Sequence, residues 1–270
     1  MNGRINHGEL QVKKFSLPEI GKIKIGLKDE KTGFPKSVDY FIPSGNYAPL
    51  FTEIFGDKPN IIEIAFISDE LTYSCNQRYV LRNNAGVEIG RVNGTEFEIY
   101  SNGAWRGRNF MEDGVFNQVK YDDMISLNWL SDKKAKWTVE LDLRFIIPQI
   151  KEVAGVWRFS TKGKASSIEH ITQTFDSVQN LLGTCMANTF FLEVKKVSSK
   201  TPEGLTRNFP VVNLVPKQNY NEQLAIRKQL LSGESPLDIY KQLSSPTVTE
   251  ATPTQTNNTT DSIEYAEVVE

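Results

Sequence analysis

Residues 137–147 (WTVELDLRFII) alternate over nearly their whole length, and that pattern limits the fold more than any other stretch of the chain. Val139, Leu141, Leu143 and Phe145 fall on one side; Glu140, Asp142 and Arg144 fall on the other. Only a β-strand has period two, and a strand of this kind buries one face and leaves the other polar. Pro148 follows and limits further pairing, because it has no N–H to donate. A sheet covered on one side and wet on the other is characteristic of antiparallel architecture.

Shorter runs extend the pattern. Lys22-Ile23-Lys24-Ile25 alternates, and Val38 to Ile42 follows the turn chemistry of Gly33-Phe34-Pro35. Ile61 to Ile67 is short, apolar and β-branched, as suits a buried strand. Arg78 to Arg82, Val87 to Val92 and Glu96 to Tyr100 are separated by Asn83-Asn84-Ala85-Gly86 and by Asn93-Gly94. Asn and Gly tolerate positive φ, so these read as hairpin turns and the region as a β-meander.

Helical spacing appears later. Ile168, Ile171, Phe175, Val178 and Leu182 place one apolar face on a helix over 166–182. Ser166 and Glu169 have the spacing of a capping box, and Gly183 supplies the stop. Strand signals at Phe190 to Val197 and Phe209 to Val215 follow, so a strand–helix–strand segment closes the core. Ala48 to Phe55 forms a short helix ended by Gly56. Tyr220 to Leu231 and a segment starting at Ser235-Pro236 form two more, with Leu237, Tyr240 and Leu243 as an apolar edge. Packing on the core is the commoner use of such helices, ahead of presenting a stripe to a partner.

The expected fold class is therefore α+β: a mostly antiparallel twisted sheet or partly closed barrel with one packed helix, two short C-terminal helices and a disordered tail. The expected divisions are an N-terminal arm over 1–18, a mainly β core over 19–216, a helical appendage over 217–244 and an acidic tail over 245–270. The tail holds seven Thr, two Pro and few large apolar side chains, too little to offset the entropy of ordering.

Charge divides along the same boundary. Residues 245–270 carry Glu250, Asp261, Glu264, Glu267 and Glu270 and no Lys or Arg. The other 244 residues hold 31 basic against 28 acidic side chains, a net of +3. A nearly neutral body is not the footprint of a strong duplex binder. No run of 18 apolar residues occurs and the first residues lack a signal-peptide core, so a cytoplasmic protein without a membrane partner is expected. Cys75 and Cys185 fit a reducing compartment as two buried thiols.

Catalytic chemistry has few residues to work with. His7 and His170 are the only histidines, and any Ser/His or Cys/His system would need one of them. No CxxC, CxxH or HxxxH occurs, so zinc would require a site assembled from distant Cys75, Cys185 and both histidines. Glu193-Val194-Lys195 has the spacing of a nuclease strand, but the upstream acid Asp176 falls in the helix, and an alternating surface strand explains the pair without metal. The stretch 161–166 fails the P-loop pattern at Arg158 and Ala165. Arg158, Lys162 and Lys164 nevertheless precede a helix N-terminus, where free N–H groups favour anions. The plainer alternative is a solvated basic turn. Tyr100, Trp105, Arg106, Arg108 and Phe110 interleave rings with guanidinium groups in a Gly-rich loop. Such loops hold single strands by stacking bases and meeting phosphates; a hairpin loop tucked back by Trp105 is the competing explanation. No catalytic residue, metal site or cofactor is expected.

Several motifs resemble one family in order and spacing. They are Gly21-Lys22-Ile23-Lys24-Ile25-Gly26, Pro35 with Val38-Asp39-Tyr40-Phe41, Phe55-Gly56-Asp57-Lys58-Pro59 and Ile64-Ala65-Phe66-Ile67. Cys75-Asn76-Gln77-Arg78-Tyr79, Gly155-Val156-Trp157-Arg158-Phe159, Phe190 to Val197 and Phe209-Pro210-Val211-Val212 continue the series. Over about residues 15–216 the chain is similar to the recombination directionality factors that accompany large serine integrases of phages, and to their phage relatives. The resemblance implies a non-catalytic accessory protein of DNA recombination. It would bind an integrase, or another phage recombination or replication protein, and shift site choice toward excision. It implies no residue-level binding site. The alternative is a single-stranded DNA-binding protein of phage replication or recombination, carried by the aromatic and arginine loop; single strands fit it better than duplex. A nuclease or hydrolase rests only on isolated acids.

Overall fold

The computed structural model describes residues 17–28, 33, 35–83, 85–92, 96–101, 104–109, 111–112, 115–116, 136–162, 164–200 and 206–244. The expected N-terminal arm, apart from Leu17 and Pro18, and the acidic tail lie outside the described residues. In chain order the elements are β1 (Glu19–Lys28), β2 (Pro35–Ser44), α1 (Ala48–Phe55), β3 (Ile61–Ala65), α2 (Leu71–Ser74), β4 (Cys75–Arg82), β5 (Glu88–Val92), β6 (Glu96–Ser101) and β7 (Ala104–Asn109). Two-residue strands β8 (Met111–Glu112) and β9 (Val115–Phe116) pair with each other. Then come β10 (Lys136–Phe145), β11 (Val156–Thr161), α3 (Glu169–Leu182), β12 (Thr189–Lys200), β13 (Thr206–Pro216), α4 (Tyr220–Leu231) and α5 (Pro236–Ser244).

The alternating segment is the middle of the larger sheet. β10 pairs antiparallel with β11 on one side and β4 on the other. The full order is β2-β1-β11-β10-β4-β5-β6-β7, and β1 with β11 is its parallel pair. The sheet is open, with edges at β2 and β7, so it does not close as a barrel. A second sheet, ordered β13-β12-β3, touches the first through a bridge between Ala65 and Ile146. The meander read from the Asn/Gly turns is present as β4 to β7. Asn83 shapes its first turn: its side-chain oxygen accepts from the N–H groups of Ala85 and Val87, both at 3.0 Å, and Gly86 takes φ 78°.

One face of β10 enters the core. Leu141, Leu143 and Phe145 are fully buried beside Phe159 and Trp157 of β11. They join Ile62, Ile64, Phe190, Leu192, Val212 and Leu214 of the smaller sheet in one cluster. Helix α3 adds Ile171, Phe175, Val178 and Leu182, and Phe66 sits edge-on to both Phe175 and Phe190. Apolar burial of this kind is the main stabilising term. Two glycines allow close packing around Trp157. A Cβ on Gly21 would lie 2.3 Å from its ring, and one on Gly155 would lie 2.2 Å from Ile20.

The start of α3 departs from the sequence expectation. Ser166 and Glu169 do not form a capping box; a π-helical turn over Lys164–Ile168 precedes the helix, and its N-cap position, Ile168, is helical. The neighbouring Ser167 is recruited elsewhere, its hydroxyl accepting the N–H of Val212 at 2.9 Å. That bond ties the turn to β13, and the local signal yields to it. A capping box does occur at α4, between Asn219 and Glu222. Helices α4 and α5 pack on the core through Ile226 and Ile239. Leu231 points outward, 80% exposed. Among the described residues no helix is long and apolar enough to cross a membrane.

Candidate functional site

The polar face of β10 and its neighbours holds a ladder of charge. Strand alternation puts Glu140, Asp142 and Arg144 on the side away from the core, and the register sets Glu140 opposite Arg78 and Arg144 opposite Arg158. Glu140 and Asp142 are only 4% and 6% exposed, so both require partners. Asp142 has three: Arg158 donates from Nε and Nη2 at 3.0 and 2.8 Å, Arg78 Nη2 donates at 3.0 Å, and the Ser160 hydroxyl donates as well. Glu140 accepts a two-pronged bond from Arg82 at 2.9 and 2.7 Å, with the Lys162 ammonium at 2.9 Å. Burial alone would raise the Glu140 carboxyl, but Arg82 and Lys162 overcome that and hold it below the usual carboxylate range. Glu88 of β5 takes two bonds from Arg78, at 3.3 and 3.4 Å.

Above this ladder a polar cleft of about 350 Å³ opens between α2 and strands β4, β5, β10 and β11. Thr72, Tyr73, Asn76, Arg78, Glu88, Arg91, Asp142, Arg144 and Arg158 line it. Four arginines thus face two carboxylates. Arg91 pairs with Glu98, while the Arg144 guanidinium lies 5.5 Å from the centre of the Tyr73 ring. Among the described residues the buried Tyr73 hydroxyl and Arg78 Nε have no hydrogen-bond partner. Guanidinium groups in such a setting are suited to planar, two-pronged hydrogen bonds with carboxylate or phosphate oxygens.

A family model described as Gp3-like, recombination directionality factor-like, matches residues 20–217, which is 198 of the 270 residues. The chain belongs to this family. No curated protein and no solved structure matches it. The match runs through both sheets and α3 and stops at the start of the helical pair.

In this recombination directionality factor-like protein the residues singled out from sequence fall into two separate groups. Tyr100 is on β6, 46% exposed, and its backbone pairs with Trp105 of β7. Arg106 and Arg108 pair with Ile99 and Phe97, so Tyr100, Trp105, Arg106 and Arg108 lie on two paired strands instead of in a loop, with the two arginines at alternate positions of β7. Asn102-Gly103 separates two regular strands, which explains the difference. The side chains of Trp105, Arg106 and Arg108, and Phe110 as a whole, lie outside the described residues. The second group is on the far side of the sheet order. Arg158 is on β11 and Lys162 just after it, both engaged by carboxylates, and Lys164 begins the π-helical turn, its side chain outside the described residues. Five strand spacings separate β11 from β7, roughly 24 Å. The structure does not bring the groups together.

The cleft lies between them and includes Tyr73, Asn76, Arg78, Arg91 and Arg144, which sequence reasoning did not select. Their signal was present as arginines on the polar side of alternating strands, but only the register shows that they converge. Other sequence candidates sit apart. Glu193 and Lys195 pair with each other at 2.6 Å on β12. His170 is exposed on α3. Cys75 and Cys185 are buried free thiols. Among the described residues no group of three His, Cys, Asp or Glu could hold a metal ion.

Proposed function

We propose that the protein is an accessory factor of phage site-specific recombination that binds a serine integrase and shifts its choice of site pairs toward excision, without catalysis of its own. The family match over residues 20–217 supports this reading. In this reading the integrase-facing residues lie in the β core, which is the part of the chain that the family match covers. The charged face of β4, β10 and β11 suits a reversible partner, since charged surfaces steer encounter and set specificity more than raw affinity. The test is a recombination assay with the cognate integrase on integration and excision substrate pairs. Added protein should enable the excision pair and suppress the integration pair. Unchanged output from both pairs would remove the proposal.

A second reading, binding of single-stranded DNA, draws on the exposed Tyr100 at the β6–β7 edge. It requires an affinity for oligonucleotides that falls as salt rises. If residues 245–270 screen the DNA surface, deleting them strengthens that binding at low salt.

A further inference from the structure

We propose that the cleft between α2, β4, β5, β10 and β11 is a phosphate-binding site, read by Arg144, Arg78 and Tyr73. The proposal does not depend on the integrase reading.

The charges in the cleft are unevenly used. Asp142 is engaged by Arg158 and Arg78 together, and Glu88 by Arg78. Arg91 is held by Glu98 from the next strand. Arg144 has no carboxylate partner among the described residues; its guanidinium is placed over the Tyr73 ring, 5.5 Å from the centroid. A ring contact uses the face of a guanidinium and does not consume its N–H donors, and Arg144 lines the cleft.

Two further donors belong to residues that line the same cleft. Arg78 is 12% exposed, and its Nε is buried without a partner although both of its terminal nitrogens are engaged. The Tyr73 hydroxyl is likewise buried, with no partner among the described residues. An unsatisfied buried donor is costly, so two on residues that line one cleft, beside a guanidinium with no carboxylate partner among the described residues, favour an acceptor-rich occupant that reaches them by a small side-chain shift on binding. The Asn76 side chain lines the cleft next to them.

The chemical class follows from the donor set. A ligand that satisfies planar guanidinium edges and a phenol hydroxyl must carry several acceptor oxygens and negative charge. The lining is polar, its aromatic ring is that of Tyr73, and the Arg144 guanidinium lies over that ring, so the lining favours oxygen acceptors over a stacked base. A phosphoryl group meets these requirements, either as free phosphate or as a phosphodiester of a nucleic-acid backbone.

The experiment uses the full chain and measures thermal stability in a titration of sodium phosphate against sodium chloride at equal ionic strength, and binding of a labelled oligonucleotide, single-stranded and duplex. Arg144→Ala and Tyr73→Phe are compared with the unaltered protein; Tyr73→Phe guards against an Arg144→Ala protein that fails to fold. A phosphate-specific rise in melting temperature that is lost in Arg144→Ala and reduced in Tyr73→Phe supports a free-phosphate site. If the rise is absent but oligonucleotide affinity drops roughly tenfold or more in both variants, the site is supported and the backbone phosphodiester is its source. If neither readout separates the variants from the unaltered protein, the proposal is overturned.

Discussion

Replacing Asp142 with alanine should lower the melting temperature by roughly 6–20 °C. The side chain is 6% exposed and links Arg158, Arg78 and Ser160. Removing it leaves two guanidinium groups facing each other across β10 with their shared anion gone. Truncating one partner of a buried ion pair costs about 3–5 kcal/mol, because the remaining charge stays desolvated. For a folded unit of this size each kcal/mol moves the midpoint by roughly 2–4 °C, which gives the range stated. Calorimetry or near-UV circular dichroism melts would measure it. Arg144→Ala is the internal control. Arg144 lines the same cleft but has a ring contact and no carboxylate partner among the described residues, so its loss should cost only about 0.5–1 kcal/mol. A melting temperature for Asp142→Ala within about 2 °C of the unaltered protein would refute the reasoning. It would mean that the network behaves as exposed ion pairs do, whose median contribution is about 0–1 kcal/mol.

The same face makes a pH prediction. The folded Glu140 carboxyl is held below its ordinary value by Arg82 and Lys162 against the opposing effect of burial, so its contribution to stability is complete above the unfolded value, about 4.3, and fades as pH falls through the folded one. Melting temperatures taken from pH 6 down to 3 should therefore fall more steeply for the unaltered protein than for Glu140→Gln; parallel curves would count against it. Gly21→Ala should destabilise by about 1–3 kcal/mol in denaturant titrations, because the new methyl would lie 2.3 Å from the Trp157 ring. Burial holds the Cys75 thiol up at about 12 and pushes Cys185 higher still, so neither should react with a thiol-specific reagent at pH 8 until denaturant is added, when two equivalents should appear.

How far the fold could be read from sequence depended on whether the decisive contact was local. Period two over 137–147 identified β10 and its buried face without outside information, and the Asn83 to Gly86 turn located the β4–β5 hairpin. Ser166 and Glu169 had the right spacing for a cap, yet Ser167 is held by Val212, 45 residues away, and the chain enters α3 through a π-helical turn. The parallel pairing of β1 with β11 was likewise invisible, since nothing in Gly21 to Ile25 names a partner 136 residues later. Alternation shows which side of a strand is polar; it does not show which strand comes next.

That limit decided what was legible of the candidate site. Arg158 and Lys162 were chosen for their place before a helix, but the structure ties them to Asp142 and Glu140 across the sheet. Arg78 and Arg144 looked like ordinary solvent-facing charges on two strands 66 positions apart. Pairing β4 with β10 and β10 with β11 turns that scattered set into one surface. The core explains why the surface is charged. The apolar side of the sheet is already covered by the second sheet and α3, so the opposite side contributes little by hydrophobic burial. A buried ion network is weak evidence for stability, because apolar residues of similar volume often serve as well or better. The proposed phosphate site offers a reason for the excess of arginine over carboxylate in the cleft lining, and a substitution there that spares the melting temperature but alters binding would separate recognition from stability.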